Sequence, residues 1–75
     1  MISPDAIADA FGLTTAEAKV VARLAMGNSL PDIAGNLKVS INTVRTLLAR
    51  AMGKTATNTQ VALVRMVLIN FGLIG

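Results

Sequence analysis

The sequence predicts an all-α fold, a small bundle of four to five helices containing a helix-turn-helix, on three observations. Apolar residues recur at three- and four-residue spacing, without the strict alternation of a strand. A Ser or Thr precedes each such run, where a helix needs a capping hydroxyl. The composition is 53% hydrophobic and rich in Ala, with two Phe and no Trp, Tyr or Cys, which suits close helix packing. A chain of 75 residues holds one small core, burying about 60% of its unfolded surface. Without Cys there is neither a disulfide nor a thiolate metal site to staple it, so helix packing, helped by a partner subunit, supplies the stability.

Each element has its own signal. Ser3-Pro4-Asp5 sets a hydroxyl before a first-turn Pro, and Gly12 ends the apolar run Ala6, Ile7, Ala10, Phe11. Thr14-Thr15-Ala16-Glu17 has capping-box spacing ahead of Val20, Val21, Leu24 and Ala25, and Gly27 closes that helix. Ser29-Leu30-Pro31-Asp32 opens a short helix with Leu30, Ile33, Ala34 and Leu37 on its inner face. After the link Lys38-Val39-Ser40, Ser40 caps a segment from Ile41 to about Met52 with Val44, Leu47, Leu48 and Ala51 in one stripe. Thr57-Asn58-Thr59-Gln60 offers a further capping box before Val61 to Phe71, which Gly72 ends.

The composition also excludes functions. With no His, no Cys and four acids in all, the usual general bases, nucleophiles and metal ligands are nearly absent, so no enzyme, no cofactor and no metal site is expected. The apolar stretch from Val61 to Ile74 is broken by Arg65 and Asn70 and falls short of the ~20 residues of a membrane span. The start lacks the pattern of a secretory signal, which makes a cytoplasmic location the expectation. Charge is distributed unevenly. The acids Asp5, Asp9, Glu17 and Asp32 precede Ile33, whereas Lys38, Arg45, Arg50, Lys54 and Arg65 follow with no acid among them. A stretch free of carboxylates suits a surface that faces a polyanion.

A short helix, a three-residue turn and an amphipathic helix with a cationic outer face form the outline of a helix-turn-helix. The second helix has the length and width to enter the major groove of double-stranded DNA. On its polar face Arg45 suits a guanine edge, Asn42 an adenine, and the Thr46 methyl or Ile41 a thymine methyl. Ser29, Lys38, Thr43, Arg50 and Lys54 stand at helix ends or turns and are the candidates for backbone phosphates.

Leu13-Thr14-Thr15-Ala16-Glu17, Leu24-Ala25-Met26-Gly27-Asn28-Ser29, Ile33-Ala34, Leu37-Lys38-Val39-Ser40, Thr43-Val44, Leu48, Lys54-Thr55 and Gln60-Val61-Ala62-Leu63-Val64 together resemble the LuxR-type helix-turn-helix domain of bacterial transcription regulators, over about residues 13–68. The resemblance implies a four-helix DNA-binding domain that docks its third helix in the major groove and pairs through its last. It places base contacts on Asn42, Arg45, Thr46 and Ala49, and phosphate contacts near Ser29, Thr43 and Lys54. The chain departs from the pattern at Leu47, where the family often has His, at Ala49, where a polar contact is common, and at Ala56, where a Gly usually ends the recognition helix. Gly53 falls inside the last turn, where it costs up to about 1 kcal/mol relative to Ala, so the helix is expected to end early or fray there.

In the last helix Val61, Val64, Leu68 and Phe71 form one stripe, yet Leu63, Met66, Val67 and Ile69 are apolar too. One small core cannot bury all these faces, which predicts a homodimer through residues 58–71 with Val61, Val64, Met66, Val67, Leu68 and Phe71 at the interface. Residues 1–12 read as an N-terminal helical extension or the remnant of a linker from an upstream sensor or receiver domain, and residues 13–75 as the DNA-binding domain. The leading function is a sequence-specific DNA-binding transcription regulator, or the output domain of one. The alternatives are a helix-turn-helix-derived protein-interaction module and a sigma-factor-like promoter-reading domain. No membrane partner is expected.

Overall fold

A computed structural model describes residues 2–74, which form five α-helices and, among the described residues, no strand. Met1 and Gly75, the outer ends of the two expected segments, lie outside the described residues. α1 (Pro4–Phe11) starts at Ser3, whose Oγ accepts from the Asp5 N–H at 3.2 Å, and stops at Gly12, whose φ of 66° reverses the chain. α2 (Thr15–Ala25) carries both halves of the capping box: Thr14 Oγ1 accepts from the Glu17 N–H and Glu17 Oε1 accepts from the Thr14 N–H. α3 (Leu30–Leu37) and α4 (Ile41–Thr55) begin at Ser29 and Ser40, whose hydroxyls accept from the third residue on, and α5 (Gln60–Asn70) begins at Thr59 in the same way.

α2 is the central helix, and the other four all pack on it. Its Ala18, Val20, Val21 and Ala22 meet Ile7 from α1, Ile33 and Ala34 from α3, Val44, Leu48 and Ala51 from α4, and Leu63 and Val67 from α5. Ala18, Ala22, Ala34 and Ala51 leave room for close helix packing and Val, Ile and Leu fill the rest, so the core is built without a fully buried aromatic ring. α1 also reaches the far end of the bundle: the Phe11 and Phe71 rings meet edge to face with centroids 6.4 Å apart.

Three expectations need correction. α4 does not stop or fray at Gly53 but runs on to Thr55, because Ala51 is fully buried, Lys54 is tied to α2, and the last carbonyls are taken up. The Ala56 and Thr57 N–H groups donate to Gly53 O and Met52 O, with Ala56 in the left-handed region at φ 56°. That is the αL termination normally given to Gly, made here with Ala. The cap of α5 is Thr59 rather than Thr57, since the Thr57 hydroxyl is spent on Thr55 Oγ1, 3.0 Å away. The buried stripe of α5 is Leu63 and Val67, whereas Val61 is 77% exposed and Val64 and Leu68 are half-buried. A helix apolar on every side carries no local signal of which side faces inward.

Candidate nucleic-acid interface

The helix-turn-helix consists of α3, the turn Lys38-Val39-Ser40 and α4. The turn works because Lys38 adopts φ 57° and ψ 44°, which reverses the chain while its N–H and that of Val39 donate to Gly35 O and Ala34 O. Ser40 then restarts a helix: its Oγ accepts from the Thr43 N–H at 3.1 Å and lies 3.0 Å from the Thr43 hydroxyl. Ile33 and Ala34 on one side and Val44 and Leu48 on the other are buried, which fixes the angle between the two helices.

With that stripe turned inward, the opposite side of α4 is free. Asn42, Arg45, Thr46 and Ala49 are all exposed, at the spacing of one helical face. Fifteen residues make a rod about 22 Å long. Ile41 stands apart from that face, half-buried and packed against the core in the first turn. Leu47 is half-buried at the other flank, in a shallow depression shared with Lys19, Leu37 and Val39. Ser29, Lys38, Thr43 and Arg50 are exposed at the ends and flank of the two helices, around the face rather than on it.

Lys54 is placed differently. Its Nζ donates to Glu17 Oε1 at 2.7 Å, and its side chain is 41% exposed while that of Glu17 is 2% exposed. The same carboxylate oxygen accepts from the Thr14 N–H at 2.9 Å. The Lys54 hydrogen bond first, then that from Thr14, hold the Glu17 carboxyl below its ordinary 4.5, against the opposing effect of burial. Sequence reasoning read Glu17 only as half of a capping box and Lys54 only as a phosphate contact. Nothing local to either residue signals the pair, since they stand 37 positions apart.

The sequence profile described as bacterial regulatory proteins, luxR family, matches residues 12–67. The chain belongs to the luxR family. This LuxR-family domain is thus a DNA-binding helix-turn-helix of the transcription-regulator type, and the matched residues run from the C-cap of α1 through most of α5. Neither the curated proteins nor the solved structures give a match. The family places the domain among regulators rather than enzymes. No group of side chains that could hold a metal ion and no helix long and apolar enough to cross a membrane occurs among the described residues.

The LuxR-family domain leaves a second surface open on α5. Val61 is 77% exposed and Ile69 49%, and an open, mostly apolar groove is lined by Leu24, Val61, Val64, Leu68 and Ile74 together with Gln60 and Arg65. Of the six residues expected at a dimer interface, Val67 is corrected: it is fully buried in its own subunit, where it fills the core behind α2, and no partner can reach it. Met66, Leu68 and Phe71 are half-buried, Phe71 against Phe11.

Proposed function

We propose that the chain is a sequence-specific DNA-binding domain of a transcription regulator, with α4 as the helix that enters the major groove. The single observation that supports this most is the open face of α4, on which Asn42, Arg45, Thr46 and Ala49 stand exposed while Val44, Leu48 and Ala51 are buried behind them. In this reading Arg45 reads guanine through two parallel hydrogen bonds and Asn42 reads adenine, with Thr46 offering a methyl to thymine. Ala49 supplies only van der Waals contact. Ile41 is the weakest of the five base-reading candidates, because it is half-buried and packs against the core. Ser29, Lys38, Thr43 and Arg50 hold the phosphates on either side and fix register. No acid follows Asp32 in the chain to oppose them.

With one Arg at the centre of the reading face, a single domain has a small contact set, and two-fold pairing doubles it. The exposed Val61 and the groove beside it support a homodimer through α5, with Val64 and Leu68 joining the contact. Residues 13–75 then act as the DNA-binding unit, and residues 1–12 as the extension through which an upstream sensor or receiver domain attaches, in the cytoplasm. Selection of bound sequences from a random duplex pool tests the reading. An enriched inverted repeat is the expected result, with half-sites near one helical turn apart. Failure to enrich any sequence removes specific recognition, and enrichment of a lone half-site by a chain that sediments as a monomer removes the dimer.

A further inference from the structure

We infer that Lys54 is a positioning residue rather than a phosphate contact: through its ion pair with Glu17 it sets the rotation of α4, and so the way Asn42, Arg45 and Thr46 meet the bases. The inference rests on the proposed role of α4 as the reading helix. Lys54 follows Arg45 by nine residues, roughly two and a half turns, so the two side chains leave opposite sides of the helix. Its ammonium points back into the body, onto a carboxylate that is almost fully buried. That carboxylate is itself held by hydrogen bonds. Glu17 Oε1 accepts from the Thr14 N–H, and Thr14 Oγ1 accepts from the Glu17 N–H, so the capping box at the start of α2 fixes it from both sides.

The location of this tie matters for the reader. The first half of α4 is held by the turn and by packing on α3, which ends at Leu37. Its last turns are held by Ala51 and Met52 against the core and by the Lys54 tie to Glu17, with Gly53 contributing no side chain. A rotation of α4 released by loss of the pair would swing Arg45 across the groove while leaving the polycationic surface intact. The two roles therefore predict opposite signs for Glu17. If Lys54 served phosphate, neutralising Glu17 would free it and tighten binding; if Lys54 positions α4, the same change loosens specific binding.

The test uses the whole chain, the duplex that it enriches from a random pool, and a random-sequence duplex, each titrated at several salt concentrations. Glu17→Gln is expected to weaken binding to the enriched duplex about tenfold, roughly the worth of one base contact, while binding to the random duplex holds or tightens. Lys54→Gln is expected to lower the ratio of enriched to random binding to the same extent, with the double variant no worse than either single change. A lower folded fraction reduces both duplexes alike, so the ratio stays informative even if a variant is destabilised. An unchanged or tighter grip of Glu17→Gln on the enriched duplex overturns the inference. So does a Lys54→Gln variant that loses both duplexes equally with a salt slope smaller by about one, the mark of a lost phosphate. A wild-type chain that enriches nothing defeats the reading of α4 itself, which distinguishes that failure from this one.

Discussion

α4 and α5 pack on the same central helix and differ on the side that faces away. Both bury a short stripe against α2, Val44, Leu48 and Ala51 in one and Leu63 and Val67 in the other. Outward, α4 shows Asn42, Arg45, Thr46 and Arg50, whereas α5 shows Val61, Ala62 and Ile69 with Arg65 as its sole charge. An inward stripe makes a helix part of the fold; the outward side decides what the helix meets. A polar, cationic side without acids suits a polyanion, and an apolar side suits another apolar surface. Within one small domain the two helices thus present different surfaces without different backbones.

If the inner stripes are equivalent, truncating either helix inside costs the fold itself. Leu63→Ala is expected to destabilise by about 3 kcal/mol, the range for a fully buried Leu, read from urea unfolding, and a cost below about 1 kcal/mol would mean that α5 is not part of the core. The Glu17–Lys54 pair belongs to α4 alone, and its loss should follow acid. Because the folded Glu17 carboxyl lies below 4.5, its contribution is complete above that pH and is lost as pH falls through the folded value. The unfolding midpoint of the wild type should therefore drop more steeply than that of Glu17→Gln on acidification below 4.5, and parallel curves would deny the pair any role in stability.

The outer sides are probed by changes that leave stability alone. Arg45→Ala, at an exposed position, should shift unfolding by no more than about 0.5 kcal/mol yet cost about 2 kcal/mol of binding to the enriched duplex. An equal loss with random duplex would make Arg45 a phosphate contact. The smallest expected effect lies at the junction between the two helices. Ala56 stands at φ 56°, a region costly for any side chain, so Ala56→Gly is expected to stabilise by about 0.5–1 kcal/mol without moving DNA affinity. A destabilised Ala56→Gly would show that Ala56 gains more from lower unfolded-state entropy than it loses to strain.

Much of the fold was legible because helix starts are local. Ser3, Thr14, Ser29 and Ser40 cap the helices that their spacing announced, and Gly12 ends the first as expected. The α4 face was legible for the same reason, since a stripe of Val44, Leu48 and Ala51 leaves its polar complement only one place to go. The end of α4 was not. A Gly at position 53 argues for fraying on local grounds, and it is outweighed by contacts that Ala51 and Lys54 make with distant residues. Nor was the phase of α5 legible, because neighbours that are all apolar give no difference for burial to act on.

By itself the sequence determined the class, the starts of most helices, the helix-turn-helix and the exposed set Asn42, Arg45, Thr46 and Ala49, all of which follow from caps and periodicities spanning a few residues. Only the tertiary structure decided that Val67 faces inward, that Phe11 reaches Phe71 and that Lys54 serves Glu17. Those contacts join residues far apart in the chain, and their energies exist only once α2 has gathered the other helices around it.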